Sequence, residues 1–193
     1  MNKKLIVVLL SLPLVACVEL PGGDASPANR YSLQAGTSTA AHCQSGSTAL
    51  TLVVASVGTG LDNNRIATRN ASTGEITYLR GVRWAESTGQ LVAQQLAADL
   101  ECRGYTVSTS HHRRLSRNQL VCEVRAFNLL AVNGGDEAEV NLSCSYLQTA
   151  NQSELLLKAS HRSKLQSWSA DHAVAAIREA YRETADDILN QLP

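Results

Sequence analysis

Five cysteines, five histidines and a few serine and carboxylate clusters are the residues of this 193-residue chain that could carry chemistry. Gly36-Thr37-Ser38-Thr39-Ala40 half-matches the G-x-S-x-G turn that exposes a catalytic serine. Its last glycine is replaced by alanine, and Ala41-His42-Cys43-Gln44-Ser45-Gly46 is not the amphipathic helix such a turn must open. Gly58-Thr59-Gly60 lacks the Lys-Ser/Thr pair and the helix that a phosphate-cradling loop needs. His111 and His112 are adjacent, and neighbours in sequence cannot share one face of a strand or helix, so they do not have metal-ligand spacing. Asp186-Asp187 falls late in a helical pattern, where the macrodipole disfavours extra negative charge, and no carboxylate pair is suggested for acid–base work. The sequence therefore predicts a protein that is not an enzyme and has neither a metal nor another cofactor.

The remaining chemistry belongs to the cysteines. Lys3 and Lys4 precede an apolar run over residues 5–16, which is shorter than the about 20 residues a bilayer span requires. A basic start followed by a short apolar stretch is a signal peptide. The run ends in Leu14-Val15-Ala16-Cys17, which resembles the lipobox of bacterial lipoproteins, in which the cysteine is acylated (palmitate among the acyl groups) and becomes the first residue of the mature chain. That resemblance makes Cys17 the lipid-attachment residue. It also gives meaning to Val18, because aspartate at this place is the usual inner-membrane retention signal, and its absence implies the outer membrane, periplasmic face. Residues 18–29, VELPGGDASPAN, have no periodicity and two Pro-containing turns. The expected organisation is a signal peptide (1–16), a lipidated cysteine with a flexible tether (17–29) and one folded domain (30–193).

Composition narrows the partners. Hydrophobic residues make up 44% and charged ones 18%, enough apolar surface for a packed core. Seventeen Lys plus Arg balance seventeen Asp plus Glu, and removing residues 1–16 leaves a net charge near −2. With only 4% aromatics there is neither a basic field nor a stacking platform for nucleic acid. The densest basic run, around Arg113 and Arg114 with Arg117 beyond, reads either as a solvated loop or as a patch for anionic head groups or an acidic partner, joined by Lys158, Arg162 and Lys164.

Strand-like and helix-like patterns alternate after the tether. Residues 30–35 are a short strand, and 49–57 a near-continuous apolar strand expected to be buried on both faces. Residues 65–69 and 75–79 flank a turn and form a hairpin. Val92, Ala93, Leu96, Ala97 and Leu100 make one apolar stripe of a helix over 87–103, stopped by Gly104. Residues 105–109 return as a strand. A long hairpin joins 119–132 to 138–148 through Asn133-Gly134-Gly135-Asp136, and 153–166 alternates again. Ser169 caps a last helix whose apolar positions from Ala173 to Leu192 keep helical spacing. The fold class is α+β: an antiparallel or mixed sheet with two amphipathic helices packed on it.

Cys43, Cys102, Cys122 and Cys144 remain once Cys17 is set aside. An even number in an oxidising compartment favours disulfides, with four buried free thiols as the alternative. Keeping the apolar faces of the long hairpin together pairs Leu130 with Val140 and Ala126 with Cys144, which puts Cys122 opposite Gln148. Cys122 and Cys144 would then lie roughly 13 Å apart, beyond the reach of a bridge. On that register, bridges join Cys43 and Cys102 to the two hairpin cysteines.

The stretch from Leu50 to Val107 resembles the ABC-type transport auxiliary lipoproteins of the paraquat-inducible type. Tyr31-Ser32-Leu33, Leu61-Asp62 and Arg83-Trp84-Ala85-Glu86 carry the likeness, while Gly58, Thr59 and Ser87 stand where that family usually has proline. The resemblance implies a non-enzymatic partner of an MCE-domain protein, which with an ABC transporter moves lipids between the two membranes. Docking on a symmetric assembly would favour a homo-oligomeric ring of the lipoprotein. Arg83, Arg113 and Arg114 are candidate interface residues, as is Trp84, which reads either as an interface anchor or as a core residue seating the first helix. The alternative function is a stand-alone envelope lipoprotein that binds an apolar ligand between sheet and helices.

Overall fold

The computed structural model describes residues 29–34, 43–44, 46–109, 117–132 and 136–193. Eight strands and two helices follow in the order β1 (Asn29–Tyr31), β2 (Thr48–Val57), β3 (Arg65–Asn70), β4 (Ile76–Trp84), α1 (Thr88–Cys102), β5 (Tyr105–Thr109), β6 (Asn118–Ala131), β7 (Glu137–Gln148), β8 (Ser153–Lys164) and α2 (Ala170–Asn190). All eight strands share one mixed sheet, so the α+β class holds.

The sheet is forked. β6, β7 and β8 form an antiparallel trunk of long strands. The other edge of β6 is divided between two parallel partners: β2 pairs with its first half, Asn118 to Val124, and β3 with its last residues, Leu129 to Ala131. β5 extends the first branch, and β4 with β1 extends the second. The fork explains a departure from the sequence reading of β2. Its Leu50, Thr51 and Leu52 are enclosed on both faces as expected, but Ala55 and Ser56 are exposed. β5 ends at Thr109 opposite Leu52, so among the described residues the second half of β2 has β6 alone beside it.

Local signals set both helices. Ser87 and Gln90 form a reciprocal capping box at the start of α1, satisfying two backbone N–H groups the helix leaves over. Gly104 ends it with φ +89, a conformation a side chain would resist. Ser169 accepts the His172 N–H at the start of α2. α1 covers β2 and β5, while α2 covers β8, β7 and β6. Directly opposite residues share a face, so Leu120–Tyr146, Cys122–Cys144–Leu157 and Val124–Leu142–Ala159 form successive rows under α2. Val174, Ile177, Tyr181 and Ile188 pack onto them in one continuous core.

The cysteines pair differently from the expectation. Cys43 is bonded to Cys102, and Cys122 to Cys144, with Cα separations of 4.2 and 4.1 Å. Cys122 lies directly opposite Cys144 because the hairpin register differs from the one the apolar pattern suggested: Leu130 faces Glu137, not Val140, and Ala126 faces Asn141, not Cys144. A bulge between Val124 and Ala126 supplies the rest of the shift.

Candidate functional site

The residues singled out from the sequence do not converge. Cys17, Arg113 and Arg114 lie outside the described residues. Trp84 is a correction to the interface reading: it is 1% exposed, and its ring stacks at a tilt on Phe127 with centroids 5.6 Å apart. Its backbone N–H donates to Asn64 at 2.7 Å, which fixes the turn from β4 into α1 from below. Neighbouring Arg83 points outward, as the pleat requires, and donates to Asn64 Oδ1 at 3.2 Å. Of the three basic residues expected to extend a patch, Arg162 is held by acids: it donates to Glu139 at 2.8 Å and lies 3.8 Å from Glu137. Glu139 also binds Arg69, so this buried carboxylate has two guanidinium partners on the helix-free face. Lys158 and Lys164 are exposed.

One concave feature of the domain is a groove of about 580 Å³ between α1 and α2. The end of β1 and the segment after it form a strap tied to α2. Tyr31 donates its hydroxyl to Asp171 at 2.8 Å, and Arg178 donates twice to the Ser32 carbonyl at 2.8 and 3.1 Å. Leu33, 7% exposed, drops its side chain into the groove. The Cys43–Cys102 bridge stands at the groove wall, and Gln44 donates to the Cys102 carbonyl at 2.8 Å. Gly46 here lies so close to Gly104 that a Cβ on it would come within 2.2 Å of the Gly104 oxygen. Nothing in the spacing of the sequence announced either the strap or this backbone contact, because their partners are distant in the chain.

The groove floor carries a part-buried polar pair. Tyr181 donates to Asp99 Oδ2 at 3.1 Å, and Gln95 donates to Asp99 Oδ1 at 2.9 Å. Burial pushes the Asp99 carboxyl above its ordinary range, opposed by these two bonds. Burial, reinforced by the Asp99 charge, pushes the Tyr181 phenol well above its ordinary value. A phenol held this firmly in its protonated form, donating to a carboxylate, joins two helices and is a poor proton relay. Several other polar groups of α2 are likewise tied. Asp186 and Asn190 accept from Arg103 at 3.1 and 2.7 Å, and His161 sits between Asp187 at 2.6 Å and Glu183 at 3.3 Å. Ser163 donates to Glu179 at 2.6 Å. Among the described residues, no three His, Cys, Asp or Glu side chains gather into a metal set.

Comparison with known proteins places this strapped, two-helix sheet. The sequence model of the ABC-type transport auxiliary lipoprotein component matches residues 31–189, from the end of β1 through nearly all of α2. The chain belongs to the ABC-type transport auxiliary lipoprotein family. Two solved structures share the fold of this auxiliary lipoprotein. A Xanthomonas campestris protein aligns at 18% identity with a TM-score of 0.64, over 74% of this chain and 82% of its own. An uncharacterized protein aligns at 14% identity with the same TM-score, over 78% of this chain and 100% of its own. At such identities the likeness speaks for fold alone. No curated protein matches the auxiliary lipoprotein significantly. No helix among its described residues is long and apolar enough to cross a membrane.

Proposed function

We propose that this auxiliary lipoprotein is lipidated at Cys17, is held at the periplasmic face of the outer membrane, and docks on the MCE-domain protein of an ABC-type intermembrane lipid-transport system. The observation that carries the reading is the family match over residues 31–189, which takes in the sheet, both helices and the strap between them. Three features support the finer parts. The LVAC sequence at residues 14–17 suits acylation, and Val18 suits outer-membrane sorting. Glu179, Asp186, Asp187 and Asn190 of α2 are engaged in ties to other elements, which suits a rigid domain acting through its surface. The tether of residues 17–29 would span at most roughly 40 Å when extended, so the partner must reach the outer membrane itself.

The test joins the chain from Val18 onward with an MCE-domain protein of the same organism and measures association by light scattering and co-elution. Binding at micromolar concentrations supports docking, and none at tens of micromolar refutes it. A second reading, a stand-alone lipoprotein binding an apolar ligand, is favoured by one observation: the interhelical groove is lined in part by Leu33, Ala98, Ala175 and Ala185. Lipid retained by the purified chain, extractable in organic solvent and absent after Ala98→Trp, would support that reading.

A further inference from the structure

The forked sheet ends in three edges of unequal length, and they are guarded unequally. β1 has three residues and β5 has five, short enough to offer little template to another chain. β8 has twelve residues, and among the described residues it pairs with β7 alone. It contains no proline or glycine, and its register with β7 runs without a bulge from Ser153 to Lys164. Natural sheets do not usually leave such an edge open. Leu156, on the helix-free face, and Leu155, on the other, are 64% and 43% exposed near its start.

We propose that β8 pairs antiparallel with β8 of a second copy of this chain, centred on Ala159. Self-pairing alone matches the length of the edge, since β8 against the β5 or β1 edge of another copy would leave most of its backbone groups unpaired. Head-to-tail pairing through β8 would meet the same shortage, so a ring of this chain would close through another surface. The charges select the register. On the helix-free face β8 carries Glu154, Leu156, Lys158, Ser160, Arg162 and Lys164. Centring on Ala159 puts Glu154 opposite Lys164 of the second copy, twice over by symmetry, and Leu156 against the aliphatic stem of Arg162. Centring one residue earlier, on Lys158, would bring two lysines face to face. Among the described residues neither Glu154 nor Lys164 has an ion-pair partner within its own chain, so both are available. The two β1 strands start at equal distances from the twofold axis, which allows both copies a common membrane.

The full chain in detergent tests this by sedimentation across a concentration series, with amide hydrogen exchange as a second readout. The expected result is a dimer whose β8 amides exchange as slowly as those of β7. Glu154→Lys or Lys164→Glu, both exposed and outside the core, should each weaken the dimer about tenfold by turning two attractive pairs repulsive. The double exchange Glu154→Lys/Lys164→Glu should restore it. A monomer at tens of micromolar, or a dimer indifferent to both single reversals, would overturn the proposal. So would β8 amides protected in the monomer, since another segment would then occupy the edge. Docking on the MCE-domain protein is measured separately, so either result can fail without the other.

Discussion

Removing the Cys43–Cys102 bridge should cost about 4 kcal/mol, nearly all of it through the unfolded chain. The bridge closes a loop with a sequence separation of 59. A loop of that length confines the denatured ensemble by about 14 cal/mol/K in the chain-entropy treatment, which gives about 4 kcal/mol at room temperature. Little packing is lost with it, because Cys43 is exposed and Cys102 half-buried. The Cys122–Cys144 bridge closes a loop with a separation of only 22, worth about 3 kcal/mol by the same relation. Both its cysteines are buried, so their loss adds a cavity term.

The two loops are disjoint along the chain, each closed before the next opens. Their contributions should therefore add to within about 0.5 kcal/mol. The assay is urea unfolding of Cys43→Ala/Cys102→Ala, Cys122→Ala/Cys144→Ala and the fourfold variant, beside the native chain. With a slope of about 2 kcal/mol per molar urea, the first variant should unfold about 2 M earlier. Peptide mapping of unreduced protein is the necessary control. A loss below about 1 kcal/mol for the first pair, or a peptide joining Cys43 to either hairpin cysteine, would refute the reasoning.

Asp99→Asn keeps an oxygen to accept from Tyr181 but removes a charge that burial disfavours. Because the Asp99 carboxyl is raised on folding, its favourable contribution is complete below the ordinary carboxylate range and is lost as pH rises through the raised value. The variant should therefore gain on the native chain between mildly acidic and neutral pH, and parallel unfolding curves that keep a constant gap would contradict this. Gly46→Ala drives a methyl into the Gly104 carbonyl and should cost roughly 1–3 kcal/mol by thermal unfolding, whereas an unchanged midpoint would show that the two loops do not touch. Trp84→Ala should cost about 3–5 kcal/mol as a core truncation, while Arg83→Ala should leave the midpoint within about 0.5 kcal/mol. If Arg83→Ala abolishes docking without moving that midpoint, the arginine is an interface residue of the kind its sequence position suggested.

The elements were legible because each wrote its own period. The strand expected over 105–109 is β5 at those bounds, and the helix expected over 87–103 is α1 with its cap at Ser87. Gly104 was readable as a stop because only glycine takes its φ easily. The arrangement of those elements was less legible. The fork of the sheet rests on which half of β6 meets β2 and which meets β3, and both partners present similar Val-, Ile- and Thr-containing strands. The strap was hidden for a different reason: Arg178 reaches a backbone carbonyl 146 residues away, which any residue at position 32 would offer. Trp84 could be read either way because burial depends on what packs over it, and Phe127 comes from an element that no local pattern connects to it.

The hairpin register shows why the bridges were misassigned. Alternation fixes a register only where one face of a strand is wet and the other dry. In β6 that holds from Leu120 to Val124, but Ala126, Phe127, Asn128, Leu129 and Leu130 are all buried, so the last part of the strand carries no face information. An apolar match there is satisfied equally well by sliding, and the bulge after Val124 reverses the parity that the first half had set. The observed register is three positions from the expected one at Leu130 and four at Cys122, and the difference between the two is the bulge itself. One local signal pointed the right way. Centring the turn on the Asn133-Gly134 dipeptide, the strongest two-residue hairpin signal, puts Leu130 opposite Glu137. Weighting turn chemistry above apolar matching would have brought Cys122 within one residue of Cys144, and the bulge supplies the last step that puts the two on one face.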